Sequence, residues 1–447
     1  MLKKTAVLFM AAALIWALGG FTVAAAAEKG PVKIQFWYSL GGRISETTKS
    51  LVDQFNATHK DIQVEAIYQG SYDDAINKLK AAIQSKSTPH VMQVYDIGTK
   101  FMIDSGAVVP MQKWIDRDKV DISTFEPNIL AYYTVNKKLY SMPFNISTPL
   151  LYYNKDAFKK AGLDPNKPPR TFEEVEKYAL ALSEKDSSGR VTRPGMAIAI
   201  YGWFFEQFLA AQGDLYANSG NGRDGTATAV AWNTKDAAKI IEWWYGMVKD
   251  GAVVNIGRKT ADTQKAFIAG QVAMTIDSTA VLGDIMKGVG GKFEVGAGYL
   301  PRPEASGSKG GVIPGGGSLW LLDNHPDEEE AATWEFIKFM TAPKQQAYWH
   351  MNTGYFPITK LAWDDPAIKV HSKKYPQFTV AIEQLHDTPI NRATQGALLG
   401  VFTQARQTVE DAIEQVLIGR AKPEDALKRA AVIVDGAILR YNQTVGK

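Results

Sequence analysis

The side chains that most often carry out chemistry are sparse here, and their spacing does not suit it. Six histidines (His59, His90, His325, His350, His371 and His386) include no pair spaced to share a metal on one helical face, and no His-Glu-x-x-His occurs. With no cysteine in the chain there is no thiol nucleophile, thiolate metal site or disulfide. Neither a Gly-x-Ser-x-Gly elbow nor a phosphate loop ending in Gly-Lys-Ser/Thr is present. Gly220, Gly222 and Gly225 do fit Gly-x-Gly-x-x-Gly, but they lie in Ala-Asn-Ser-Gly-Asn-Gly-Arg-Asp-Gly. That context is polar and no strand precedes it, so it reads as a turn-rich loop rather than a dinucleotide site. More informative are Tyr72 and Asp96, each just beyond a run that reads as a strand, because open α/β sheets bind ligands at the carboxyl ends of their strands.

The elements that must position those residues follow from periodicity. Val32 to Tyr38 reads as a strand, followed by a helix with Ile44, Leu51, Val52 and Phe55 on one face. Ile62, Val64, Ala66 and Tyr68 alternate as a second strand. A helix carries Ala75, Ile76, Leu79 and Ile83, and Val91 to Tyr95 is a third strand. This βαβαβ order predicts a mostly parallel sheet with helical cover. A second unit opens near Phe144, with a strand over Ser147 to Tyr153 and a short helix from Lys155 closed by Gly162. Thr171-Phe172-Glu173-Glu174 is a capping box that starts a helix to about Ser183. Helices are expected over Lys235 to Val248 and Ala261 to Ala269, strands over Gln271 to Ile276 and Ser318 to Leu322, a surface loop over Pro301 to Gly311, and mainly helix from Pro326 onward.

The first residues read as an export signal: Lys3 and Lys4, an apolar run from Ala6 to Leu18, then Val23 to Ala27 as a small-residue cleavage stretch. The expectation is a cleaved leader over 1–27 and a periplasmic location. The run is short for a membrane anchor and no basic stop-transfer patch follows it. Composition is that of a globular chain, 45% hydrophobic and 22% charged, long enough for two packed cores. The net charge of +3 falls to +1 without the leader's two lysines, which gives no support to a nucleic-acid partner.

Several stretches together carry a resemblance. Phe267-x-x-Gly270-x-x-Ala273-Met274 and Leu151-Tyr152-Tyr153-Asn154-Lys155-Asp156 resemble the extracellular solute-binding proteins of ATP-binding-cassette importers. Within that family, the members that take glycerol phosphates are matched by Tyr68-Gln69-Gly70-Ser71-Tyr72, Gln93-Val94-Tyr95-Asp96, Pro143 to Pro149, Gly315-Gly316-Gly317-Ser318-Leu319-Trp320 and Thr353 to Thr359. The resemblance runs from about Val32 to Lys447. It implies an α/β chain with the periplasmic-binding-protein type II fold, in which two discontinuous lobes, joined by a hinge, close over a ligand in the cleft between them. It implies no catalysis, cofactor or metal. The partners would be a small-molecule ligand (glycerol 3-phosphate or a glycerophosphodiester) and the permease subunits of an importer in the inner membrane, with the chain acting as a monomer. Lobe 1 is expected over 28–142 plus 278–340 and lobe 2 over 143–277 plus 341–447, with crossings near Met142-Pro143, near Asp277 and after Met340.

The resemblance also implies a phosphate pocket of Ser147, Ser278, Gly316, Tyr355 and Arg406, with Tyr72 and Asp96 near the glycerol hydroxyls. A phosphomonoester needs donors, and Arg406 supplies a planar fork of N–H groups. Asp96, as an acceptor only, belongs at the far end of the site from the phosphate. Two positions depart from the closest pattern. Asp96 replaces a glutamate and is one methylene shorter. Trp203 matches one of a pair of tryptophans, while Ile200 stands where the other is expected, leaving room for a larger phosphodiester or a different head group. Structural readings stand beside the functional ones: Arg406 as a solvated helix arginine, Ser147 and Ser278 as caps, Gly316 as a packing glycine, Tyr72 and Tyr355 as core aromatics, Asp96 as a helix cap, and Trp203 as core. The rival functions are a binder of neutral oligosaccharides on the same fold and a secreted hydrolase, which would need a metal cluster or a placed carboxylate pair.

Overall fold

The computed structural model describes residues 30–304, 307 and 309–445. The expected leader over 1–27 lies outside the described residues. Two sheets organise the chain. In the first, the strands run Ile62–Tyr68, Val32–Tyr38, Val91–Tyr95, Gly315–Leu322 and Val108–Val109, with Met142–Ser147 also paired to Gly315–Leu322. The first three are parallel, as βαβαβ order requires, and Gly315–Leu322 enters antiparallel. In the second, the order is Val253–Val254, Met196–Ala197, Met274–Ser278, Pro149–Asn154 and Val295–Tyr299, with the last two antiparallel to their neighbours.

The helices form where the apolar stripes and caps put them. Gly42–Thr58 buries Leu51, Val52 and Phe55 against the first sheet. Ser71 and Asp74 close a capping box at the start of Tyr72–Gln84, and Thr171 and Glu174 do the same for Phe172–Leu182. Five tryptophans (Trp232, Trp244, Trp320, Trp334 and Trp349) are fully buried, which anchors both cores without any disulfide. Among the described residues no helix is long and apolar enough to cross a membrane.

The sheets divide the chain differently from the expected boundaries. Met142–Ser147 pairs with Gly315–Leu322 in the first sheet, and Pro149–Asn154 pairs with Met274–Ser278 in the second. The chain therefore changes sheets at Thr148, six residues beyond Met142, and the single strand read over Ser147 to Tyr153 is two strands in two sheets. Val295–Tyr299 lies in the second sheet, so the return falls between Tyr299 and Gly315 rather than near Asp277. Asp327–Thr341 and Pro343–Thr353 pack on the first lobe, and Val380–His386 packs on Val295–Tyr299. The last crossing thus lies beyond Thr353. An apolar run shows that a strand is buried but not which partner it pairs with, because that choice is made by residues more than a hundred positions away.

Candidate functional site

The segments Gly315–Gly317 and Ser147–Pro149 form the seam between the lobes, and most of the expected residues lie along it. Tyr72 opens the helix Tyr72–Gln84, where the capping box sets the entry angle. Its hydroxyl accepts a hydrogen bond from Asn145 Nδ2 at 2.8 Å, and its ring stacks on Tyr95 at 5.1 Å. Asn145 is oriented in turn by Gln93, whose Nε2 donates to Asn145 Oδ1 at 2.9 Å while its Oε1 accepts from the Ser39 N–H at 2.9 Å. Tyr355 belongs to the same cluster: burial pushes its hydroxyl up to about 12, opposed by hydrogen bonding to Asn145 and Tyr72.

Gly316 has φ +94°, and a Cβ there would lie 1.9 Å from the Asn145 carbonyl oxygen. Only glycine fits. A Cβ at Gly317 would come within 3.2 Å of the Tyr72 hydroxyl, and one at Gly315 within 2.7 Å of the Trp203 ring, so the glycine run is held between Tyr72 of the first lobe and Trp203 of the second. Trp203 is 5% exposed on the helix Gly202–Gln212. Ser147 pairs with Gly315. Thr279 N–H donates to the Thr148 carbonyl at 3.0 Å, which sets Ser278 beside Ser147. Ser278 Oγ accepts from Ala280 N–H at 3.1 Å and so caps the 3₁₀ turn Thr279–Val281.

The charged part of the site is the largest departure from expectation. Arg406 lies on the buried face of the helix Phe402–Leu417 and is 6% exposed, so the solvated reading fails. Its Nε and Nη2 donate to Glu206 Oε2 at 3.0 and 2.6 Å, and Nη2 also donates to Asp96 Oδ2 at 3.1 Å. Asp96 is therefore in direct contact with the guanidinium rather than at the far end of the site. A guanidinium this deeply buried needs counter-charge within hydrogen-bond reach, and Asp96 reaches it from the other lobe. One turn earlier on the same helix, Thr403 Oγ1 meets the Tyr95 hydroxyl at 2.5 Å, and Tyr95 donates to Asp73 at 2.8 Å.

Burial pushes the Glu206 carboxyl up to about 7 despite Arg406, and pushes Asp96 up as well. Burial also works against the charge on Arg406, but Glu206 and Asp96 outweigh it and hold the guanidinium well above its ordinary value. Glu206 Oε1 is buried with no hydrogen-bond partner, as are the hydroxyls of Tyr132 and Tyr133. Tyr132 and Tyr133 both feel the Asp96 charge. Asp277, one residue before Ser278, is 3% exposed and held up at about 7 by burial.

Glu206, Asn145, Gln93 and Asp277 are buried polar residues of this site that were not among the candidates expected from sequence. A signal for Glu206 was present, since it is the lone acid in Gly-Trp-Phe-Phe-Glu-Gln-Phe-Leu-Ala-Ala-Gln, a helix otherwise buried all round. Asn145 belongs to the Pro143 to Pro149 stretch, but nothing local marks it as the pivot between Gln93 and Tyr72.

Comparison with known proteins agrees with this architecture. The family model for bacterial extracellular solute-binding proteins matches residues 50–380. The sn-glycerol-3-phosphate-binding periplasmic protein UgpB of Pectobacterium atrosepticum is 35% identical over 99% of this chain and 98% of its own. UgpB of Escherichia coli K12 is 36% identical over 92% of each chain. In fold, the chain is similar to UgpB from Mycobacterium tuberculosis in complex with glycerophosphocholine (TM-score 0.74, 23% identity, 92% of this chain and 100% of that one). It is also similar to the sugar-binding protein MalE from Xanthomonas citri (TM-score 0.75, 20% identity, 93% and 100%). With a family model spanning most of its length and a relative aligned almost end to end, this chain belongs to the bacterial extracellular solute-binding protein family.

Proposed function

We propose that this solute-binding protein, exported and monomeric, captures a glycerophosphodiester between its lobes and presents it to the permease of an ATP-binding-cassette importer. The observation that carries the choice of ligand is the sharing of Arg406 between Glu206 and Asp96. The guanidinium is already neutralised, and two buried acids surround it. A phosphomonoester would bring about −1.5 to −2 charge into that setting, whereas a diester brings about −1. At an effective dielectric near 20, that extra half to full charge about 5 Å from a carboxylate costs roughly 2–3 kcal/mol, enough to cancel one hydrogen bond to a charged group. The surplus acid around Glu206 and Asp277, beside the rings of Tyr201 and Trp203, suits a ligand whose second substituent is cationic. The glycerol hydroxyls are suited to the Tyr72, Asn145 and Tyr355 cluster, which offers both donors and acceptors. The names of the relatives, which bind sn-glycerol 3-phosphate or hold glycerophosphocholine, support the same chemical class.

Isothermal calorimetry with glycerophosphocholine, glycerol 3-phosphate and maltose tests this. The diester is expected to bind at least tenfold tighter than the monoester at pH 8, with the gap narrowing at pH 6 as the monoester takes up its second proton near pKa 6. Arg406→Ala is expected to lower diester affinity at least tenfold while the fold survives. Equal or tighter binding of glycerol 3-phosphate at pH 8 would overturn the diester reading, and binding of maltose alone would overturn phosphate recognition altogether.

A further inference from the structure

The polar loop with the Gly-x-Gly-x-x-Gly spacing has a conformation that needs a reason. Ser219, Gly220, Asn221 and Gly222 stand in succession in the left-handed region, with φ 52°, 59°, 64° and 73°, and two of them are not glycine. L residues resist that region, so surrounding contacts must hold the loop there. Asn221 does this. It is 1% exposed, its Oδ1 accepts from the N–H groups of Tyr216 and Ala217 at 2.7 and 2.8 Å, and its Nδ2 donates to the Arg392 carbonyl at 2.8 Å.

This strained turn holds up Arg223. Its Nε donates to the Gly396 carbonyl at 2.7 Å, and its Nη2 donates to the carbonyls of Gln395 at 2.5 Å and Tyr132 at 3.1 Å. All of these acceptors are main-chain oxygens, and burial lowers the guanidinium to about 10. Gln395 and Gly396 lie in the second lobe with the loop, tied to it through Leu398 N–H and the Asn221 carbonyl at 2.9 Å. Tyr132 is in the first lobe, in the last turn of the helix Pro127–Tyr133, which packs on Met142–Ser147. Two carbonyls of that turn, which have no partner within the helix, accept from the guanidinium, Tyr132 from Nη2 and Ala131 from Nη1 at 3.5 Å. The Tyr132 ring lies 5.2 Å from Arg223, and burial raises its hydroxyl, with the Asp96 and Glu206 charges adding to the shift.

We propose that Arg223 is an interlobe clasp. Closure seats its guanidinium on the carbonyl end of the first lobe's helix, and opening must break those bonds. Arg223 therefore sets how long the lobes stay shut. The proposal rests on capture by lobe closure and not on which ligand is caught.

Because the chain has no cysteine, a pair introduced at Gln84 and Lys249, both exposed and one on each lobe, gives clean sites for two fluorescent labels. In ligand-free protein, Arg223→Gln is expected to shift the single-molecule interlobe distance distribution toward open forms. In the unlabelled protein it is expected to speed release of glycerophosphocholine about tenfold, the usual scale for losing a hydrogen bond to a charged group. Arg223→Lys, which keeps the charge but not the fork, should fall between the two, and it decides the matter if the glutamine variant does not fold. An unchanged distance distribution in the folded variants overturns the clasp whatever ligand the protein takes. An unchanged release rate with a shifted distribution overturns the control of residence time.

Discussion

Asp277→Asn should make this protein more stable at alkaline pH and leave it unchanged at acid pH. Asp277 ends the strand Met274–Ser278 and is 3% exposed; its Oδ2 accepts from Gln264 Nε2 at 2.9 Å and its Oδ1 from Ser278 N–H at 2.7 Å. Two neutral donors do not offset the lost hydration of a carboxylate, so burial raises it from 3.8 to about 7. The folded chain thus holds a proton that the unfolded chain has released, and stability falls as pH rises through the window from about 4 to about 7. The slope is about 1.4 kcal/mol per pH unit, and the penalty levels off above pH 7 near 4 kcal/mol. Asparagine keeps the acceptor for Ser278, and Gln264 can turn its amide to accept from the new NH₂ group. Thermal unfolding across pH 4 to 9 is the assay. Melting temperatures should coincide near pH 4 and separate to about 12 °C in favour of the variant by pH 8, taking about 3 °C per kcal/mol for a lobe-sized cooperative unit. A difference that is independent of pH, or a variant that melts lower at pH 8, would refute the argument that an uncompensated buried charge sits there.

Two further outcomes follow from the same physics. Gly316→Ala should cost at least about 2 kcal/mol and abolish ligand binding, since the new Cβ meets the Asn145 carbonyl at 1.9 Å in a left-handed backbone, whereas Gly246→Ala, with open space and ordinary helical geometry, should be neutral or slightly stabilising by urea titration. His350 is held down near 4 by burial while its Nδ1–H donates to the Tyr355 carbonyl at 2.8 Å. Its stabilising contribution, about 3 kcal/mol, should therefore be lost as pH falls from 6.5 toward 4, and His350→Gln should flatten that acid limb in a plot of melting temperature against pH.

Local chemistry made much of the architecture legible. The Thr171 to Glu174 capping box and the alternation of Ile62 to Tyr68 each act through neighbours a few positions away, and each formed where its residues predicted, whereas the strand expected from Ser318 begins three residues earlier and takes in the glycine run. Tyr72, Ser147, Gly316 and Tyr355, named from the resemblance, lie along the interlobe seam with Ser278 beside Ser147. Charge placement was not legible. Glu206 and Asp96 stand 200 and 310 positions from Arg406, and no local pattern says that two acids share one guanidinium.

From sequence alone came the fold class and the exclusion of thiol and phosphate-loop chemistry, since propensity, capping and the presence or absence of a side chain are properties of short stretches. The tertiary structure decided where the chain changes sheets, at Thr148 rather than Pro143, and that Arg406 is shared by Glu206 and Asp96 rather than set apart from Asp96. Both are settled by long-range partners: a strand joins the sheet edge that buries it best, and a buried charge takes the counter-charges that folding brings within reach.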